Sequence, residues 1–237
     1  MTIDLPLLWA GVIAFGVFMY VLMDGFDLGV GIIFPFARDE RHRDVMMNSV
    51  APIWDGNETW LVLGGTGLLA AFPIAYATIL PALYLPVLLM LIALIFRGVA
   101  FEFRFKTERH RGIWSWSFHL GSLLATFSQG IILGAFITGF EVVDRNYVGG
   151  MLDWLTPFTI ATGLGLIAGY TLLGSTWIII KTEGSLQAWA YRVARGALFV
   201  VLGFIALISI WTPLAHEEIA ERWFSWPNTV YLSPVPI

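Results

Sequence analysis

The chain has 237 residues, of which 58% are hydrophobic and only 13% charged, and its mean hydropathy is +0.78. Soluble domains carry about 45–50% apolar and about 25% charged residues, so this composition excludes a soluble globular enzyme and a disordered chain and leaves an integral membrane protein. The net charge of −4 gives nucleic acid no basic footprint, and the absence of Cys excludes disulfides, thiolate zinc sites and iron–sulfur ligation by this chain.

A helix needs about 20 apolar residues to cross the hydrocarbon, and stretches free of Asp, Glu, Lys, Arg and His mark the candidates. The first is 5–23. It has no basic leader region and no small-residue cleavage site, so it reads as a retained helix rather than a signal peptide. Apolar sequence continues on both sides of Asp24 and Asp27 in VLMDGFDLGVGIIFPF, which predicts that the first helix runs on to about Phe36. The i, i+3 spacing puts both carboxylates on one helix face. At about 1.5 Å per residue, Asp24 lies about 30 Å beyond Leu5, near the inner edge of the hydrocarbon. A charge there costs less than the roughly 2.5–3.5 kcal/mol of the bilayer centre. Either the two acids hydrate at the interface, or they face a partner helix where they are protonated or paired. Gly25, Gly29 and Gly31 favour the partner helix, because small residues let another backbone approach closely.

The segment APIWDGNETW, residues 51–60, opens the second span. Asp55, Asn57 and Glu58 cluster at a helix N-terminus, where capping and the helix dipole account for one or two of them. Trp54 and Trp60 flank the cluster. From these ten residues alone, capping and function both stay open. Residues 59–96 are long enough for two spans, and Pro73, Pro81 and Pro86 place a tight turn near 73–81.

Arg97 directly follows LLMLIALIF, so it is the candidate buried charge and needs a carboxylate or propionate partner. Glu102 lies in an amphipathic juxtamembrane stretch. Arg104, Lys106, Arg109 and Arg111 read as interface anchors. The stretches 120–140, 154–180 and 196–215 bring the total to six spans. The expected fold is therefore all-α, a polytopic membrane protein with six transmembrane helices in a single integral membrane domain, 1–237. The loop 141–153 has room for an interfacial helix or turn, and the tail 216–237 reads as an interfacial exit followed by an extended end.

Eleven of the thirteen Lys and Arg fall in three alternate loops, around 38–43, 97–111 and 181–195. Only Arg145 and Arg222 lie on the other side. This asymmetry predicts that the N-terminus faces outward and the basic loops face the cytoplasm. His119 abuts a span, but a lone His at a helix end is more readily a hydrogen-bonded interface residue than a haem ligand. There is no HExxH and no paired transmembrane His, so the residues make no case for a metal site.

Three motifs, Asp24-Gly-Phe-Asp-Leu-Gly-Val-Gly31, Asn48-Ser-Val-Ala-Pro-Ile-Trp-Asp-Gly-Asn57 with Trp60, and Phe96-Arg-Gly-Val-Ala-Phe-Glu102, occur in this order. Together they resemble subunit II of the cytochrome bd-type ubiquinol oxidases, and most the cyanide-insensitive branch. The family's usual eight helices, in two groups of four, imply that 1–140 is the first four-helix group. They imply that 154–215 is the first two helices of a second group, in a truncated product or fragment. Where members often carry an acid between two tryptophans, this chain has Ser115, in Trp114-Ser-Trp116.

The resemblance implies a respiratory complex of the bacterial cytoplasmic (inner) membrane that oxidises quinol and reduces dioxygen to water. Its haems, two b-type and one further b- or d-type, and its quinol site would belong to the haem-bearing subunit I. This chain would ligate no cofactor, hold no catalytic residue of its own, be inactive alone, and touch subunit I and membrane lipid or quinone. Asp55 with Trp54 matches a position linked to cytoplasmic proton uptake, with Asp24, Asp27 and Glu102 as nearby acids. Asp27 and Arg97 match positions near the haem-bearing interface. The rival readings are a proton-coupled membrane transporter and a purely structural membrane subunit. Against a transporter, there is no obvious inverted repeat, and the acids cluster at one side rather than at the midplane.

Overall fold

The structure, a computed structural model, describes residues 4–107 and 109–232. Helix α1 (Leu5–Ile33) starts where the Asp4 carboxylate accepts from the Leu7 N–H at 3.1 Å. It runs through Asp24 and Asp27 without a break and tightens into a 3₁₀ turn at Phe34–Phe36, as the continuous apolar sequence led us to expect. Asp39 then caps the short α2 (Glu40–Val50), accepting from His42 N–H at 2.8 Å.

Helix α3 (Trp54–Ala71) turns back along α1. Asn57 meets Met23 near the far end of α1, and Gly64 and Gly67 face Val17 and Ile13 nearer its start. The tight turn expected near 73–81 is instead a ten-residue helix, α4 (Pro73–Ala82). Pro73 sits in its first turn, where a missing N–H costs nothing, so a proline read as a helix breaker is here a helix starter. Helices α5 (Tyr84–Phe103) and α6 (Arg111–Thr138) form an antiparallel pair. The loop beyond holds a small hairpin of β1 (Val142–Val143) and β2 (Asn146–Tyr147). Helix α7 (Pro157–Lys181) opens on a Thr156–Thr159 capping box.

Helix α8 (Gly184–Ala215) begins twelve residues before the expected span, so Arg192 and Arg195 lie on a helix and not in a loop. The tail, expected as an interfacial exit followed by an extended end, carries α9 (Glu217–Phe224) and α10 (Asn228–Leu232); the final residues 233–237 lie outside the described residues.

The protein is an all-α polytopic membrane protein. Among the described residues, five helices are long and apolar enough to cross a membrane: α1 with its 3₁₀ turn, α5, α6, α7 and α8. The expected second span, α3, is not among them, because Asp55, Asn57 and Glu58 in its first turns make its 18 residues too polar.

Helix α1 packs against α3, α6 and α7. The α1–α7 contact is the closest. A Cβ on Gly29 would overlap the Tyr170 carbonyl, and one on Gly174 would overlap the Gly29 backbone. The expected role of the DGFDLGVG glycines is therefore met by α7 at Gly29, and by Ser122 of α6 at Gly31. The core gathers at the end of the helices nearest α2, around Val30, Phe34, Met46, Met47, Phe101 and Phe118. At the other end of α1, Leu7, Phe15 and Phe18 are exposed, as are Phe199 and Leu214 on α8.

Candidate functional site

Arg97 is fully buried on α5 and gathers three carboxylates. Its Nη2 lies 3.1 Å from Asp24 Oδ1 and 3.9 Å from Asp27 Oδ2, both on α1, and its Nη1 donates to Glu58 Oε1 of α3 at 2.5 Å. The Asn57 amide donates to Asp27 Oδ2 at 2.6 Å and to the Met23 carbonyl at 3.2 Å. The guanidinium also lies over the rings of Trp54 and Phe101, which stack on each other at 4.9 Å. The local reason is periodicity. Asp24 and Asp27 share one face of α1, and Asn57 and Glu58 sit on the first turns of α3 as it folds back along that face. Of the two readings open for the acids of α1, the structure gives the paired one.

Exposure falls stepwise along this group. Asp55 is exposed, the Glu58 side chain keeps 22% of its surface, and Asp24, Asp27 and Arg97 keep none. Three acids meet one base, and neither Asp24 oxygen has a well-aligned hydrogen bond. Taking such charges out of water costs several kcal/mol per ion, so the cluster is an expensive feature that packing alone does not require.

The other residues expected at the site divide. Trp54, expected beside Asp55, lies under the Arg97 guanidinium. Trp60 instead turns to Phe15 of α1, edge to face at 5.9 Å. Capping does not account for the polar trio: the N-cap of α3 is Ile53, without a side-chain cap bond, and the Asn57 side chain goes to Asp27. Glu102 lies outside the cluster, exposed at the end of α5 and paired with Lys106 at 2.7 Å.

Three features escaped the sequence reading. Glu58, seen only as one of three polar residues at a helix start, is a direct partner of Arg97. Arg104, read as an interface anchor, is buried. It donates to Asp44 Oδ1 at 2.6 Å, Glu40 Oε2 at 2.9 Å and Ser115 Oγ at 3.0 Å, and lies over the Phe34 ring. The signal was present, because Arg104 follows Arg97 by seven residues, two helical turns, and so shares its face. Burial works to raise the Asp44 carboxyl, but hydrogen bonds from Arg111 and Arg104 outweigh it and hold Asp44 below the usual aspartate range. The third feature lies one turn from Asp24. The Gln129 amide donates to the Tyr20 hydroxyl at 2.7 Å, and the Tyr170 hydroxyl donates to the Gln129 carbonyl at 2.9 Å, joining α1, α6 and α7.

His119 is a packing residue. Its Nδ1 donates to the Gly31 carbonyl at 3.1 Å, and its ring meets Trp116 and Phe36 edge-on. No group of three or more His, Cys, Asp or Glu suited to a metal ion occurs among the described residues.

The family model for cytochrome bd terminal oxidase subunit II matches residues 5–237. The chain belongs to this family. It is 34% identical over 212 residues to cytochrome bd-I ubiquinol oxidase subunit 2 of Escherichia coli (strain K12), covering 86% of this chain and 55% of that protein. It is 34% identical over 215 residues to cytochrome bd ubiquinol oxidase subunit 2 of Bacillus subtilis (strain 168), covering 87% of this chain and 64% of the relative. A probable cytochrome oxidase subunit 2 of Haemophilus influenzae is 30% identical over 201 residues, or 81% of this chain and 53% of that protein. The chain thus spans somewhat more than half the length of these subunit II relatives. All three motifs, and every residue of the Arg97 cluster, lie inside the matched range.

Proposed function

We propose that this subunit II chain works in a quinol oxidase of the bacterial inner membrane. It packs beside a haem-bearing subunit I, which holds two b-type haems, one further b- or d-type haem and the quinol site, while this chain gives protons access from the cytoplasm. The observation that carries the reading is the graded acid series. Asp55 meets water, Glu58 lies half-buried one turn further along α3, and Asp24 and Asp27 lie fully buried about Arg97. Ionisable groups inside a membrane protein mark proton paths and ion sites more often than structure. More acid than base, reached by steps of falling exposure, is the composition that proton uptake needs.

In this reading α3 is the sixth crossing, since it runs antiparallel along α1. The basic loops put the Asp55 end at the cytoplasm and the N-terminus outside. Residues up to the end of α6 make the first helix group, and α7 with α8 begins a second. Asp27 and Arg97 lie toward the haem-bearing subunit, and Glu102, exposed in this chain, stands as an outlying acid near the same end. The exposed apolar surfaces of α1 and α8 suit lipid, quinone or the partner subunit.

A purely structural subunit is the second reading, favoured by the way Arg97 ties α1, α3 and α5 together. The test is expression with the larger oxidase subunit. Co-purification of a haem-bearing complex that consumes oxygen with quinol supports the oxidase reading. A chain that purifies without any haem-bearing partner contradicts it. Substitution of the acids within the assembled complex then separates proton uptake from structure.

A further inference from the structure

A second polar group lies at the same end of the molecule, apart from the Arg97 cluster. The 3₁₀ turn after α1, the start of α2 and the first turns of α6 form an open-mouthed cavity of about 210 Å³, lined by Phe34, Pro35, Glu40, Arg43, Arg111, Ser115 and Trp116. Three guanidiniums, from Arg43, Arg104 and Arg111, meet only two carboxylates here, Glu40 and Asp44. Both carboxylates already hold guanidiniums. Asp44 takes Arg104 and Arg111, and Glu40 takes Arg43 and Arg104. Two guanidinium N–H groups are left over. Arg43 Nε is buried without a hydrogen-bond acceptor, and so is Arg111 Nε, which lies 3.6 Å from Glu40 without bonding it. Buried donors are costly when unmet, and more so when charged.

The walls indicate the rest of the ligand. Phe34 and Pro35 are apolar and Trp116 is exposed, and so are Phe36 and Ile113, which follow the lining residues Pro35 and Gly112 in sequence, as aromatic and aliphatic side chains are where a protein meets the headgroup layer. A surplus positive charge, unmet guanidinium N–H groups and a membrane-facing apolar rim describe a receptor for an oxyanion that carries a greasy tail. Basic pockets between transmembrane helices hold anionic headgroups in this way.

We propose that this cavity binds a phosphate oxyanion, met by Arg43 and Arg111 and supplied by the headgroup of an anionic phospholipid. Bound phosphate would balance the third guanidinium and lock the α2 segment against α6.

The test uses the full chain in the membrane complex with which it purifies, reconstituted with phosphatidylglycerol or phosphatidylcholine and examined by native mass spectrometry. Phosphatidylglycerol should be retained in preference to phosphatidylcholine by about tenfold, the scale expected when one or two arginines meet an anionic headgroup. Ser115→Glu places a carboxylate on the cavity wall beside Arg104, neutralises the surplus and should abolish that preference while the haem content of the complex stays unchanged. Arg43→Gln, which removes one of the unmet donors and keeps the α2 caps, should weaken it independently if Ser115→Glu fails to assemble. Inorganic phosphate at millimolar concentration that displaces the lipid supports the site and shows that the oxyanion itself is what is read. Equal retention of the two lipids, or retention of phosphatidylglycerol by the variants at the wild-type level, overturns the proposal.

Discussion

Arg97 and Arg104, seven residues apart on one face of α5 and its C-cap, both bury their guanidiniums, yet each answers to a different set of acids. Arg97 takes Asp24, Asp27 and Glu58 from within the helix bundle. Arg104 takes Glu40 and Asp44 from the short α2 at its edge. One helix thus organises two ion clusters two turns apart, one inside the bundle and one where the chain leaves it.

Arg97→Gln should be the more damaging change. It leaves three carboxylates without their base in a buried place, and removal of one partner from a buried ion group costs about 3–5 kcal/mol. Arg104→Lys keeps the charge but loses the fork that reaches Glu40, Asp44 and Ser115 together, so its effect should be smaller. Thermal denaturation of the purified complex checks the order. A melting temperature for Arg97→Gln equal to that of the unaltered protein would show that the cluster does not hold the helices together.

The contact between α1 and α7 gives a second expectation. A methyl group at position 29 meets the Tyr170 carbonyl, and neither backbone has space to yield. Gly29→Ala should therefore destabilise by roughly 1–3 kcal/mol, whereas Gly11→Ala, where a Cβ meets nothing, should be neutral. A trypsin-accessibility or melting comparison of the two variants decides the point, and equal behaviour would contradict the close approach.

The α2 cluster sets an acid limit. Asp44 is held below the usual aspartate range in the folded protein, mainly because its hydrogen bonds from Arg111 and Arg104 exceed the opposing effect of burial. Its contribution to stability is therefore present above the unfolded aspartate value of about 3.9 and is lost as pH falls through the lower folded value. Stability should hold from neutrality down to about pH 4 as far as this group is concerned, then fall. Asp44→Asn should remove that acid-side loss while lowering stability at neutral pH. An acid profile that is identical in the variant would show that the Arg104 and Arg111 contacts do not hold the carboxylate.

Much of this arrangement is legible in the sequence, and the residues that were missed share a cause. Composition and charge-free runs point to an all-α membrane protein. The i, i+3 spacing puts Asp24 and Asp27 on one face, and the position of Arg97 after nine apolar residues marks it as buried. What a one-dimensional pattern does not carry is which helices meet. Glu58 becomes the partner of Arg97 only because α3 turns back along α1. Arg104 looks like an anchor because Phe103 and Phe105 flank it and more basic residues follow, although its spacing from Arg97 places it on the buried face. The prolines at 73 and 81 look like a tight turn, but Pro73 fills a first-turn position and a helix forms. Helix α8 starts early because Arg192 and Arg195 break the apolar run without breaking the helix.

Topology is checked by single cysteines, which the native chain lacks. Cysteines placed next to Arg41 and Lys106 should resist a membrane-impermeant thiol reagent in sealed cells. One at Asn146, in the hairpin loop, should react. External labelling beside Lys106 would reverse the orientation inferred from the basic loops.

The most direct measurement is quinol-driven oxygen consumption per haem in an assembled complex carrying Asp55→Asn. The amide keeps the size of the side chain and leaves Ile53 as the N-cap of α3, so the local fold is preserved while the titrating group is removed. If Asp55 admits protons to the Glu58, Asp24 and Asp27 series, turnover should fall by at least about tenfold, as when a positioned proton-transfer group is removed, with haem content unchanged. Turnover at the unaltered rate across the pH range would contradict proton uptake through Asp55 and leave the cluster as a structural tie between α1, α3 and α5.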